Sequence, residues 1–99
     1  MRSRINDTEL GAVLTQVLSE NRQYVKSRFD LARKAGIDYG YVHRLFAGKN
    51  HPSREYLIKI CKTLRCTPEQ MTRIFTLAQY TTPTSEEVYA QPLVVSVAA

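Results

Sequence analysis

The stretch from Asp38 to Gly48, DYGYVHRLFAG, holds the side chains whose types and spacing suit recognition chemistry. On a helical wheel Gly40, His43, Arg44 and Ala47 share one side, with Tyr39 and Tyr41 at its margins. Arg44 offers a planar fork of donors that matches guanine O6 and N7, and a bidentate pair of that kind contributes about 1–3 kcal/mol of base discrimination. It could equally meet a phosphate or a surface carboxylate. The tyrosine rings can lie on thymine methyls or sugars and give a hydroxyl to a phosphate, or be partly buried beside Phe46. Gly40 inside a helix costs roughly 0.5–1 kcal/mol relative to Ala, which fits close approach of the backbone to another surface. His43, and His51 further on, read as hydrogen-bonding surface groups. A solvated helix face would hold Glu, Lys and Gln; this mixture suits a helix laid in the major groove of DNA.

Catalytic and metal chemistry lack their parts. The chain has no GxSxG, no phosphate-cradling glycine loop, no HExxH, and no Cys–His pair placed for a nucleophile. A domain of this size also has little room for a buried ligand pocket. Cys61 and Cys66 are five apart with no CxxC pair, and Cys61 sits on an apolar stripe, so both read as buried free thiols. Neither enzyme activity, nor a cofactor, nor a metal is expected.

Net charge is +5 over 99 residues, and its distribution matters more than its size. Between Arg22 and Arg65 there are eleven Lys or Arg against three Asp or Glu, whereas the flanks hold three basic and six acidic residues. A basic middle between acidic ends suggests a polyanion-binding face on the central elements. No apolar run approaches the roughly 20 residues that span a membrane, and the N-terminus lacks a signal-peptide core, so no membrane role and a cytoplasmic location are expected.

The elements that must position this face are five amphipathic helices on one core, an all-α fold. Residues 1–5 are expected as a basic arm. Asn6 reads as an N-cap with Glu9 as its reciprocal partner and Ile5 stapled to Leu10, opening a first helix that runs to about Glu20 on Leu10, Val13, Leu14, Val17 and Leu18. Residues 21–26 link it to the second helix, capped by Ser27 with Asp30 at N3, its Leu31, Ala32 and Ala35 facing inward. Gly36 supplies the left-handed position that ends that helix, Ile37 plugs the core beneath, and Asp38 caps the third helix. There Val42, Leu45 and Phe46 form the inner stripe. Helix, short glycine turn, helix over 27–48 is the signature of a helix-turn-helix. Gly48 ends the third helix; Ser53 caps a fourth on Leu57, Ile60, Cys61 and Leu64; Thr67-Pro68-Glu69-Gln70 opens a fifth on Met71, Ile74, Phe75 and Ala78. The domain therefore spans 6–80, and residues 81–99 read as a polar linker with a β-prone tail.

Residues 27–71 resemble the lambda-repressor-like, Cro/XRE helix-turn-helix domain. The matching pattern is Leu31-Ala32, Ala35-Gly36-Ile37, Val42-x-x-Leu45-Phe46-x-Gly48-Lys49, Pro52-Ser53 and Leu57-x-x-Ile60-x-x-x-Leu64. The first loop is a few residues longer than usual in that family. Arg28 stands where Gln is frequent, Arg65 where Gly closes the fourth helix, and Cys66 where an aliphatic is usual. The resemblance implies that Tyr39, Gly40 and Arg44 touch base edges, joined by His43 on the same exposed side. It implies that Tyr41 meets a phosphate, and that Ser27, Arg28, Lys49 and Asn50 lie at the backbone or groove edge. Amides at the starts of the second and third helices would add anion contacts.

The resemblance further implies a sequence-specific double-stranded DNA-binding regulator, in the form of a repressor, bound as a homodimer to a palindromic operator. Two alternatives stay open: the antitoxin of a toxin–antitoxin pair whose tail engages the toxin, and a protein-interaction adapter that has lost DNA binding. Residues 81–99 could supply a dimer arm or a protein-binding segment, or lie on their own domain. The Ala98-Ala99 end resembles small-residue termini recognised by bacterial proteases.

Overall fold

A computed structural model describes residues 2–89, with side chains from Asp7 onward. Six helices make up these residues: α1 (Arg2–Glu20), α2 (Arg28–Ala35), α3 (Tyr39–Phe46), α4 (Arg54–Leu64), α5 (Pro68–Ala78) and α6 (Ser85–Tyr89). No strand occurs among the described residues. α1 packs on α5 and α3, α2 on α3 and α4, and α4 on α6.

The expected caps form. Ser27 Oγ accepts from Asp30 N at 3.0 Å, Asp38 Oδ2 from Tyr41 N at 3.0 Å and Ser53 Oγ from Tyr56 N at 3.1 Å. Each satisfies an amide that the helix leaves without a partner. Thr67 and Gln70 form a reciprocal capping box with Pro68 in the first turn. Gly36 ends α2 at φ 70°, and Arg65 takes the same left-handed conformation at φ 60° after α4. A non-glycine there carries strain; the Arg65 guanidinium lies 5.3 Å from the centroid of the Tyr24 ring, a contact that offsets part of it.

One continuous core collects the predicted stripes. Leu10, Leu14, Val17, Leu31, Val42, Leu45, Leu57, Ile60, Leu64, Met71, Ile74 and Phe75 have no accessible surface. Three polar side chains are buried as well, Asp7, Asn21 and Gln70, and the last two pair with each other. Asn21 Nδ2 donates to the Leu64 carbonyl at 2.8 Å and to Gln70 Oε1 at 3.1 Å, and Gln70 Nε2 donates back to Asn21 Oδ1 at 2.9 Å. That amide pair ties the ends of α1 and α4 to the start of α5. Cys61 and Cys66 are buried free thiols, and the hydrogen bond between them, followed by burial, pushes the Cys61 thiol well up.

Three expectations are corrected. α1 begins at Arg2, so residues 2–5 are helical instead of a free arm, and Asn6 lies inside the helix instead of capping it with Glu9. Nothing in Arg2–Ile5 breaks a helix, and Arg ranks among the better formers. Residues 81–89 are not a plain linker, because Ser85–Tyr89 forms α6 with Val88 buried in the core. Arg54 grips it through both Glu87 oxygens, at 2.8 and 3.1 Å, while Tyr89 donates to the Cys66 carbonyl at 2.7 Å. The five-helix count accordingly becomes six. The Ile5 staple rests on a side chain outside those described, and the β-prone segment after Gln91 and the Ala98-Ala99 end lie outside the described residues.

Candidate nucleic-acid interface

The docking of α3 decides which of its residues face outward. α1 crosses its C-terminal end at Gly11, where an added Cβ would stand 2.5 Å from the Phe46 carbonyl oxygen and 3.0 Å from Gly48 N. Gly48, at φ 80°, is held equally close to α1: a Cβ there would stand 2.8 Å from Thr8 Cα. Backbone thus meets backbone, and Val42, Leu45 and Phe46 are pressed inward. His51, in the following loop, has Nδ1 2.6 Å from Asp7 Oδ1 and its ring 5.5 Å from that of Tyr80, while Tyr80 donates to the Pro52 carbonyl at 2.7 Å. The loop leaving α3 is therefore anchored to α1 and to Tyr80 just past the end of α5, consistent with a hydrogen-bonding role for His51.

Opposite the core, Tyr39, His43 and Arg44 are exposed. The Tyr39 and His43 rings lie 6.1 Å apart. A Cβ on Gly40 would sit 3.0 Å from Asp38 Oδ2 and 3.4 Å from Arg44 Nη1, so Arg44 runs back along the helix over the bare glycine. The four residues expected to meet bases thus share one surface.

The expected backbone contacts are placed less uniformly. Ser27 is exposed with its oxygen engaged in the cap. Lys49 is exposed, its amide donating to the Arg44 carbonyl at 2.9 Å, and Asn50 is half-buried beside it. Arg28 is half-buried, its guanidinium 5.5 Å from the Phe46 ring centroid. Tyr41 packs edge-on against Tyr56 at 4.9 Å. Burial raises its phenol, Tyr56 and Tyr80 add to the shift, and Arg44 opposes it.

The electrostatics favour an anion. Asp30, an acid on α2, has its carboxyl held below the usual range, first by the Lys26 amide and further by Lys34 and Arg33. Arg33 and Lys34 reach it at 2.7 and 3.3 Å, a partnership added to the helix-dipole role their position suggests. Between α2 and α4 lies a solvent-open cleft of about 580 Å³ lined by Lys34, Lys59, Lys62 and Arg65 with Gln23, Tyr24, Ala35 and Thr63. Its lining contains no residue of α3. Among the described residues no His, Cys, Asp or Glu group is arranged to hold a metal, and no helix is long and apolar enough to cross a membrane.

Sequence reasoning missed Phe29, which stands 61% exposed in the first turn of α2 with its ring edge-on to Tyr39. It missed Gly11 as well, although a glycine inside a helical stripe is itself a signal of close backbone approach.

Residues 27–71 match the helix-turn-helix family model, from the Ser27 cap of α2 into the first turns of α5. No curated protein and no solved structure matches the chain. That family is a DNA-binding regulatory one, not an enzymatic one. With the capped α2, the Gly36 turn and the outward face of α3, the match shows that residues 27–71 form a helix-turn-helix domain of the Cro/C1 type, which supports a DNA-binding regulator.

Proposed function

We propose that the protein is a sequence-specific repressor that places α3 in the major groove and binds a palindromic operator as a homodimer. The observation that carries this reading is the division of α3: Val42, Leu45 and Phe46 are buried, while Tyr39, His43 and Arg44 are exposed around a glycine. An α-helix fits the major groove, where every base pair shows its own pattern of donors and acceptors. Arg44 reads a guanine there, Tyr39 and His43 touch neighbouring edges, and Gly40 lets the helix backbone come close. Ser27, Arg28, Tyr41, Lys49 and Asn50 set the register along the phosphates. Two subunits related by a two-fold axis then read half-sites about one helical turn apart, and occupancy of a promoter blocks transcription. Residues 85–89 are engaged with α4, so a toxin or dimer partner would have to use chain beyond them or another face.

Binding-site selection on random duplexes, repeated with Arg44→Ala, tests the reading. The expected result is a palindromic motif whose preference relaxes at one base pair per half-site in the variant. Uniform weakening over all sequences would make Arg44 a phosphate contact. Binding insensitive to salt would overturn the DNA reading, because neutralising phosphates must release counterions.

A further inference from the structure

Among the described residues the exposed large hydrophobics are Tyr24, Phe29, Tyr39 and Tyr56, and Phe29 exceeds the others at 61% against 39%, 44% and 37%. The three tyrosines carry a hydroxyl that water satisfies; Phe29 carries none. A bare phenyl ring held in solvent forgoes the stabilisation of burial. Its position is defined: the ring stands edge-on to Tyr39, centroids 5.7 Å apart and planes at 65°. Tyr39 in turn neighbours the His43 ring at 6.1 Å. One aromatic strip thus runs from the start of α2 along the outer face of α3, on the same helix as Arg44.

We propose that Phe29 is a specificity residue, contacting the 5-methyl group of a thymine in the major groove with Tyr39 as its backing. The proposal rests on the DNA-binding reading above. Charge selects this occupant over a second copy of the chain. Arg28 precedes Phe29 and Arg44 follows His43, while the carboxylates of Asp30 and Asp38 are taken by Lys26, Arg33, Lys34 and Tyr41 N. Two copies meeting through this face would set like charges against each other. A duplex brings a phosphate to Arg28, a guanine to Arg44 and, between them, the thymine methyl, the apolar group that a major-groove edge displays. The contact adds sequence information that Arg44 does not, because guanine carries no methyl.

The test uses the full chain and the operator found by selection. Each thymine is replaced singly by uracil, which removes the methyl and leaves pairing intact, and affinities are measured for the wild type, Phe29→Ala and Phe29→Leu. At one thymine per half-site, uracil should weaken wild-type binding about fourfold, the worth of one buried methyl. Phe29→Ala should bind thymine and uracil equally there, with other thymines unaffected, and Phe29→Leu should keep part of the preference. Because the side chain is exposed, the Phe29→Ala melting curve should match the wild type. Full uracil sensitivity at every thymine in Phe29→Ala overturns the proposal. So does a smaller mass by light scattering in that variant, which would give Phe29 to a contact between copies. Absence of any duplex binding by the wild type would instead bring down the DNA-binding reading itself.

Discussion

Gly11 and Phe46 meet backbone to backbone: a Cβ on Gly11 would lie 2.5 Å from the Phe46 carbonyl oxygen. The last residue of α3 is thereby pinned to the middle of α1, and neither side can yield as the end of a long side chain would. Gly11→Ala should raise helix propensity yet lower stability, by about 1–3 kcal/mol, because overpacking forces the helices apart. Urea unfolding should show a lower midpoint at unchanged slope. DNA affinity at a temperature where the variant is fully folded should also fall, since α3 would be tilted on its bed.

Asn21 and Gln70 hold the opposite end of the domain. Replacing Asn21 by Leu takes the side-chain donor from the buried Leu64 carbonyl and one partner from the Gln70 amide, which keeps Glu20 and Thr67 N. Stranding such groups costs roughly 1–3 kcal/mol. The double variant Asn21→Leu with Gln70→Leu should cost more than Asn21→Leu alone but less than the sum of the two single changes. The mutual bonds are lost only once, while Gln70→Leu also takes the capping partner from Thr67 N. A double change equal to the sum of the two single changes in thermal unfolding would show that the pair carries no coupling.

The helix-turn-helix was legible because its signals are local. Ser27, Gly36, Asp38 and Gly48 each dictate one backbone conformation, and the 42, 45, 46 stripe dictates a face. What failed depended on distant partners or on the absence of a stop. Asn6 looked like a cap, yet nothing before it prevents the helix from starting at Arg2. The SEEVY segment looked polar because its worth lies in Arg54, which takes Glu87, and in the carbonyls of Cys61 and Cys66, which take the Tyr89 hydroxyl. On the interface, Arg44 and Gly40 stood out by residue type, whereas Phe29 gained meaning only once α2 brought it beside Tyr39.

Tyr89 gives the fold an alkaline limit that can be assigned. Burial, with the two cysteines nearby, pushes its phenol up to about 12, against about 10 in the unfolded chain. A raised folded value means that the folded state keeps a proton the unfolded state has lost. The contribution is therefore complete below pH 10 and disappears as pH rises from 10 to about 12. In Tyr89→Phe the hydroxyl and its bonds are gone, so stability at neutral pH should be lower while this part of the alkaline decline vanishes. Denaturant midpoints of both proteins measured from pH 8 to pH 12 should converge at the alkaline end; parallel curves would remove Tyr89 as the cause.

Gly40 separates fold from function by sign. A Cβ there meets only the ends of two side chains, Arg44 Nη1 at 3.4 Å, free to shift toward solvent, and Asp38 Oδ2 at 3.0 Å. The Asp38 carboxylate can give by a few tenths of an ångström while its other oxygen is at hand to cap Tyr41 N. The helix itself gains from the change, since Gly in a helix is roughly 0.5–1 kcal/mol worse than Ala. Gly40→Ala should thus raise the melting temperature by a few degrees. On the proposed reading it should also weaken operator binding, because the new methyl stands between the α3 backbone and the base edges and crowds the path of Arg44. Salt-independent loss of affinity would mark the defect as steric, as phosphate contacts elsewhere would be intact. A variant that is both more stable and equally tight on the operator would place Gly40 off the groove and move the contact surface toward Tyr39 and Phe29.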